Sequence, residues 1–317
     1  MTKRIGIIGQ PCIDEIISPN GELTSQAFGG ILYSYAAAER AVRESGIEME
    51  FLPLTWTSNP DRELILPFYA MLPHFKDLTK LFPTDSLTNR VRLVYSDETH
   101  RTEHCPVILP AMTPEELSWV DLASLDGLFI NMISGFDISL ETLKWIRNRS
   151  KAYIHLDIHA LVLGELSNDE HVPRKVSGVK HWREWVANVD SVQMNEMESD
   201  WFGAPETFSE KMLLAEIRKL SEQTGSPKTV IVTRGERGAT SFDFVHEKIW
   251  NKEPVKREII NTTGSGDVFG ALYTLTKTLG TSEQEALWHA ETWAGWNTEL
   301  RNLEEILVAP LSKEITS

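Results

Sequence analysis

The sequence predicts an α/β protein: a three-layer α/β/α sandwich with a mostly parallel sheet, carrying a small lid of β-hairpins. Three observations predict it. Short, nearly continuously apolar runs recur along the chain, as expected of strands covered on both faces. Stretches with helical spacing lie between them, and that alternation implies parallel pairing through helical crossovers. Two segments break the alternation and read as antiparallel hairpins.

The strands are expected at 4–9, 50–55, 128–133, 153–158, 191–194 and 229–233. The helices are expected at 32–44, 61–72, 140–149, 180–187, 209–222, 265–279 and 283–297. The first hairpin occupies 14–28, where Asn20-Gly21 is a tight-turn signal. The second spans 87–107: Val91, Leu93 and Tyr95 alternate with Arg90, Arg92 and Val94, and residues 96–100 turn the chain. The expected division is therefore a main domain of 1–13, 29–84 and 109–317, with 14–28 and 85–108 as an inserted β lid. A flap over a ligand site excludes water, which matters for group transfer.

Composition removes several functions. The chain has 317 residues, 31 basic and 46 acidic, for a formal charge of −15. A nucleic-acid binder would carry a basic footprint, and an anionic membrane surface would repel this charge. Cys12 and Cys105 are too few for a disulfide scaffold and suit a reducing cytoplasm. The opening residues read as a first strand rather than a signal peptide, and no run approaches a membrane span. A cytoplasmic protein is expected. Of the ten tryptophans, Trp293 and Trp296 have helical spacing that favours core packing.

The chemistry concentrates in Asn261-Thr262-Thr263-Gly264-Ser265-Gly266-Asp267-Val268-Phe269-Gly270. Two glycines around a serine let backbone N–H groups converge, and apolar residues at 268, 271, 272, 275 and 279 continue as a helix. The N–H groups of Gly264, Ser265 and Gly266 would then form an anion hole at a helix N-terminus. Asp267, in the first turn, would stand beside a bound phosphate, where a carboxylate can take a proton from an attacking hydroxyl. A plain turn followed by a capping aspartate would use the same residues.

This segment resembles the C-terminal signature of the ribokinase-like, or pfkB, carbohydrate kinase family, usually Asp-Thr-x-Gly-Ala-Gly-Asp. Further landmarks follow in order. Gly9 to Asp14 resembles the family's Gly-x-x-x-x-Asp, whose aspartate holds sugar hydroxyls. Gly29-Gly30 and the small-residue helix after it resemble the family's acceptor segment, with Ser34 where Asn is frequent. Asn195-Glu196-Met197-Glu198 resembles the Asn-x-x-Glu segment that organises metal and phosphates. The strand and turn from Val230 through Thr233, Gly235 and Gly238 resemble the nucleotide border.

The resemblance implies ATP-dependent phosphoryl transfer to a hydroxyl of a sugar or sugar-like molecule. Asp267 would be the base and Gly264, Ser265 and Gly266 the anion hole. Asp14, Gly29, Gly30 and Ser34 would bind the acceptor; Asn195, Thr233, Gly235 and Gly238 would bind the nucleotide. Magnesium would be held near Glu198 through water, and Arg101 would approach the phosphates from the lid. A homodimer through the lid is the implied assembly. Departures fall on the acceptor side: Ser34, Thr57-Ser58-Asn59-Pro60-Asp61 in place of Gly-Asp-Asp, and Asp157-Ile158-His159 where Asp-x-Asn is common. Asn261 stands where an aspartate serves potassium in activated members, so a monovalent cation is doubtful.

Three other readings use the same residues. A nucleoside also presents ribose hydroxyls, so a nucleoside kinase is the alternative within the family. A catalytically weak sugar- or nucleoside-binding regulator would fit the altered acceptor segments. His155, Asp157 and His159 alternate along a strand and could share one face, which would suit a metal-dependent hydrolase.

Overall fold

Residues 5–8, Ile-Gly-Ile-Ile, are buried in a strand that lies inside a sheet between two neighbours, and they set the frame. In this computed structural model, residues 2–76, 82–95, 101–164 and 174–316 are described, except the side chains at 95, 101–103 and 316. The first elements are β1 (Lys3–Ile8), β2 (Pro11–Ile17), β3 (Leu23–Gly30), α1 (Ile31–Ser45), β4 (Met49–Leu54), β5 (Trp56–Ser58) and α2 (Arg62–Tyr69). Then come β6 (Phe82–Thr84), β7 (Asn89–Tyr95), β8 (Arg101–Val107), β9 (Gly127–Asn131), α3 (Leu140–Arg147), β10 (Tyr153–Asp157) and α4 (Trp182–Ala187). The C-terminal part adds β11 (Ser191–Asn195), α5 (Glu196–Trp201), α6 (Glu210–Thr224), β12 (Thr229–Thr233), β13 (Ala239–Asp243) and β14 (Lys248–Lys252). Helices α7 (Ser265–Thr278), α8 (Glu283–Asn297) and α9 (Leu303–Val308) complete the frame.

The main sheet runs β14-β13-β12-β11-β10-β9-β1-β4. Strands β4, β1, β9, β10, β11 and β12 pair in parallel, and β13 and β14 extend the edge antiparallel. Side chains alternate between two cores. Ile5, Ile7, Phe129 and Ile231 face α1, α7 and α8, whereas Ile8, Leu128, Ile130, Val230 and Val232 face the opposite layer. Trp293 and Trp296 sit edge to face in the first core, 5.6 Å apart, as their spacing implied. Trp288 on the same helix is exposed, as is Trp201 on α5.

A second, four-stranded sheet has the order β3-β2-β7-β8. Strands β2 and β3 form the expected hairpin around Gly21, whose φ is +82°, but their pairing extends from Pro11 to Gly30, beyond the expected 14–28. β2 pairs with β7 in parallel and β7 with β8 antiparallel. The expected turn at 96–100 lies outside the described residues.

Two polar clamps fasten this sheet to the main one. The Gln10 side chain donates to the Pro110 carbonyl at 3.0 Å and accepts from Asn89 at 2.8 Å. Asp61 accepts from Arg90 and from the Thr88 N–H, each at 2.8 Å. The unusual 57–61 segment therefore carries a hinge anchor.

Six of the eight main strands are legible in the sequence. The antiparallel edge is not, because β14 is largely exposed and carries no continuous apolar run. Neither Cys12 nor Cys105 is in a disulfide. No helix among the described residues is long and apolar enough to cross a membrane.

Candidate active site

The parallel strands end together, and their C-terminal ends carry the polar residues. Asn131 ends β9, Asp157 ends β10, Asn195 ends β11 and Thr233 ends β12. In open parallel sheets this edge is where ligands bind. Helix α7 brings Asp267 to the same edge. Its N-cap is Gly264 at φ +78°, and a Cβ there would run into the Tyr33 ring, so only glycine fits. Ser265 donates its N–H to the Thr262 carbonyl over 3.3 Å, and its hydroxyl oxygen accepts from Asn297 at 3.2 Å. The Gly264-Ser265-Gly266 turn is thus held from both sides.

Asp267 is 6 % exposed, and its Oδ1 accepts from the Asn131 side-chain amide at 2.7 Å. Burial pushes its carboxyl above the usual range, while His159 and the Asn131 bond pull the other way. Asp157 is raised well above its ordinary value, first by burial and further by the charges of Glu198 and Asp267; His159 offsets part of this. Glu198 is pushed up to about 7 by burial, also against the pull of His159. Three buried carboxyl groups therefore share one corner with a single histidine.

Gln193 ties this corner to the sheet. Its amide nitrogen donates to Asp157 Oδ2 at 2.9 Å and to the Gly266 carbonyl at 3.0 Å. Its Oε1 lies 3.2 Å from His155 Nε2. His155 Nδ1 lies 2.7 Å from the Ser191 hydroxyl, and the ring packs against Phe129 and Tyr273. Both ring nitrogens are engaged, and burial lowers the imidazole to about 3. The expected His155, Asp157, His159 metal face does not form. His155 and Asp157 do share a face of β10, but His155 is locked in the core. His159 lies beyond the strand end, in a turn with φ +33°.

The expected donor-side residues are neighbours. Asn195 caps α5: its side chain accepts from the Glu198 N–H at 2.8 Å, and Glu198 accepts from the Asn195 N–H and amide, both at 2.7 Å. Asn195 pairs in register with Thr233. Gly235 and Gly238 both have positive φ, and a Cβ on Gly238 would collide with the Lys252 carbonyl. Arg234, just before Gly235, bridges Glu196 and Glu210 at 2.8 and 2.6 Å.

The acceptor-side residues form a second group. Asp14 lies on β2 beside Cys12, whose thiol donates to Asp14 Oδ1 over 3.3 Å. A Cβ on Gly29 would come within 2.7 Å of Asp14 Oδ2, so glycine lets β3 lie against the carboxylate. Gly30 caps α1 at φ +63°, and its Cβ would approach the Gln10 carbonyl at 2.7 Å. Ser34 does not join this group. It is fully buried, and its hydroxyl donates to the Asp267 carbonyl at 3.1 Å. A short hydroxyl on the inward face of α1 reaches the neighbouring helix rather than a ligand, so Ser34 positions α7. Of Arg101 only the backbone, in β8, is described.

A cleft of about 740 Å³ opens between the small sheet and the 260–263 and 301–304 segments, lined in part by Asp14, Phe28, Tyr33, Leu93, Asn261 and Arg301. Tyr33 was missed by the sequence reading. Burial raises its phenol first, and the charges of Asp14 and then Asp267 raise it further. Its ring lies against Gly264, and it lines the cleft together with Asp14. An aromatic residue after Gly29-Gly30 was the available signal. Asn131 and Gln193 were also missed; Asn131 is a lone polar residue in an apolar strand, and Gln193 alternates with Ser191 and Asn195 in a short one.

Residues 171–306 match the family model described as pfkB family carbohydrate kinase. The whole chain superposes on ribokinase from Thermotoga maritima with a TM-score of 0.72 and 16% identity, covering 99% of this chain and 98% of that one. A pyrophosphate-dependent kinase in the ribokinase family, complexed with a pyrophosphate analog and myo-inositol, matches with a TM-score of 0.70 and 14% identity over 100% and 99% of the two chains. Arabidopsis thaliana ribokinase complexed with ribose and ATP matches with a TM-score of 0.66 and 13% identity over 98% and 100%. No curated protein matches the sequence.

Residues 171–306 of this chain resemble the pfkB family, and the chain as a whole has the ribokinase fold. Its class is that of the small-molecule kinases, and its fold is theirs. The matched span contains Asn195, Glu198, Thr233, Gly235, Gly238 and the 264–267 turn. Asp14, Gly29, Tyr33, Asp157 and His159 lie outside it.

Proposed function

We propose that this protein transfers a phosphoryl group from ATP to a hydroxyl of a sugar or sugar-like small molecule. The observation that carries the reading is the placement of a buried, raised carboxyl, Asp267, in the first turn of α7 beside the Gly264-Ser265-Gly266 turn. A base must stand next to the phosphoryl-binding donors, because transfer depends chiefly on positioning and charge stabilisation.

The acceptor enters the cleft under the small sheet, which serves as a lid made of 14–28 and 85–108. Asp14 accepts hydrogen bonds from acceptor hydroxyls, with Gly29 and Gly30 leaving room beside it. Asp267 takes the proton from the attacking hydroxyl, and Asn131 orients its carboxylate. The oxygen attacks the terminal phosphorus, the bond to the departing ADP oxygen breaks, and the backbone at 264–266 faces the equatorial oxygens. Thr233, Gly235, Gly238 and Asn195 border the nucleotide, and Arg101 closes on the phosphates from the lid.

Magnesium fits the corner. Asp157, Glu198 and Asp267 are three buried carboxyl groups with His159 as their counter-charge, a surplus that a divalent ion would balance. Glu198 would hold it through water, since both carboxylate oxygens already accept from Asn195. When bound, the ion neutralises charge on the donor phosphates. A cytoplasmic site of action and a lid-mediated homodimer belong to the same proposal.

The test is a thermal-shift screen of sugars, inositols and nucleosides with a non-hydrolysable ATP analogue, followed by a transfer assay on each stabilising compound. Phosphorylation of a stabilising acceptor that vanishes in Asp267→Asn supports the reading. Binding of an acceptor without any transfer would replace it with a small-molecule-binding regulator.

A further inference from the structure

We propose that Asp157, His159 and Asp267 form an inner-sphere site for a borderline transition ion such as Zn²⁺ or Co²⁺. One ligand atom from each of the three lies within 4.8 Å of the others. Two are carboxylates and the third is an imidazole, the combination that suits first-row transition metals and that a hard magnesium ion does not require. Around an ion with bonds of about 2.1 Å, tetrahedral ligands stand about 3.4 Å apart. The His159 side chain is exposed at the rim of this corner.

A second observation points to a ligand here. Asn131 is fully buried, and its Oδ1 has no hydrogen-bond partner, although its amide nitrogen reaches Asp267 at 2.7 Å. A buried carbonyl oxygen without a donor costs free energy unless a cation or other donor meets it. Asn131 also pairs in register with Asp157, and its amide nitrogen meets Asp267, so its side chain adjoins two of the ligating residues. It provides a fourth, oxygen ligand.

The site follows from one residue of this chain. The pfkB pattern commonly has asparagine at position 159, which would offer an amide. Histidine adds a nitrogen ligand, and nitrogen raises affinity for Zn²⁺ and Co²⁺ far more than for Mg²⁺. The inference concerns the ion that the corner selects, and binding can be read without donor, acceptor or turnover.

The experiment is titration of the full-length, metal-free protein with Co²⁺, read by visible absorption, and with Zn²⁺, read by calorimetry. One equivalent should bind, with Co²⁺ bands of low-symmetry four- or five-coordinate geometry. His159→Asn should weaken Zn²⁺ at least tenfold while its melting temperature stays within error of the parent and its Mg²⁺ affinity does not fall. Asp157→Asn should also weaken Zn²⁺, and a circular dichroism spectrum like the parent's qualifies that variant for comparison. Unchanged Zn²⁺ affinity in His159→Asn, or absence of any Co²⁺ band, overturns the proposal. Either result leaves the kinase reading intact, because that reading is decided by the transfer assay.

Discussion

The strand ends around Asp267 and the cleft around Asp14 are built from different materials. At the first, every functional side chain is fixed by sheet register and by buried hydrogen bonds: Asn131 to Asp267, Gln193 to Asp157 and Gly266, Asn195 to Glu198. At the second, Asp14 rides on a small sheet whose β2–β3 pairing has a register shift at Ile16 and Ile17. That sheet is fastened by Gln10, Asn89, Asp61 and Arg90. The Asp267 corner is braced by buried hydrogen bonds and lies partly inside the span that matches the pfkB model, whereas Asp14, Gly29 and Gly30 lie outside it. In the proposed reading, phosphoryl transfer belongs to the first region and acceptor choice to the second. Tyr33, which touches both, is where the two regions meet.

The largest effect should come from breaking the Asp267 corner. Asp267→Asn removes the proton acceptor and keeps the shape, since an amide oxygen can still receive the Asn131 bond. Turnover on the identified acceptor should fall about 10²–10⁴-fold, the usual scale for general-base catalysis. Acceptor and nucleotide affinities should change little. Near-parental turnover would take Asp267 out of the reaction.

The hinge should show itself in stability. Asp137 accepts from the Gln10 N–H at 2.8 Å and from the Ser134 N–H and hydroxyl at 2.9 and 3.0 Å. Burial outweighs these bonds and pushes its carboxyl up to about 6, against about 3.9 in an unfolded chain. A raised carboxyl favours the folded state below the unfolded value and loses that contribution as pH rises through the folded one. Stability from this group should therefore decline between about pH 4 and pH 6 and level off above, by about 3 kcal/mol at most. Asp137→Asn has no such titration. Denaturant midpoints at pH 4, 5, 6 and 7 should show the variant gaining on the parent along that series; parallel curves would mean that Asp137 is ionised throughout.

Asp14→Ala sharpens the contrast on the acceptor side. It should weaken acceptor binding about tenfold, roughly the loss of one charge-assisted hydrogen bond, and leave nucleotide binding unchanged. Calorimetry with each ligand separately measures both. Equal losses for the two ligands would show that Asp14 supports the fold of the cleft as a whole.

The two regions also differ in how much the sequence reveals. The strand ends are legible because apolar strands announce their own boundaries, and polar residues just past them fall at the sheet's C-terminal edge. Asp267, Asn195 and Glu198 could be placed that way. Gln193 and Asn131 could not, because a polar residue within a strand does not state which partner it meets across 73 or 136 positions. Ser34 shows the opposite error. Its place in an acceptor-like segment suggested ligand contact, but helix phase turns it inward onto the Asp267 carbonyl. His159 escaped the strand alternation that was applied to it, since β10 ends at Asp157 and the chain turns there.

The smallest effect expected is that of potassium. An activating site needs several oxygen ligands and benefits from a carboxylate, which Asn261 does not supply. Its amide geometry adds a second reason. The Asn261 carbonyl oxygen accepts the Thr263 N–H at 2.9 Å, and its amide nitrogen donates to the Arg301 carbonyl at 3.2 Å. An N–H group thus already satisfies a carbonyl that a cation would otherwise meet, and the loop before α7 is braced without an ion. Transfer should proceed when tetramethylammonium replaces potassium at constant ionic strength, with turnover changed less than about tenfold, or roughly 1.4 kcal/mol in barrier. A larger loss would show that neighbouring carbonyls still gather a cation despite Asn261. Asn261→Asp then separates charge from geometry: restoring the carboxylate removes the N–H on the Arg301 carbonyl and adds negative charge. Potassium dependence should grow in that variant if the surrounding oxygens are positioned to complete a site.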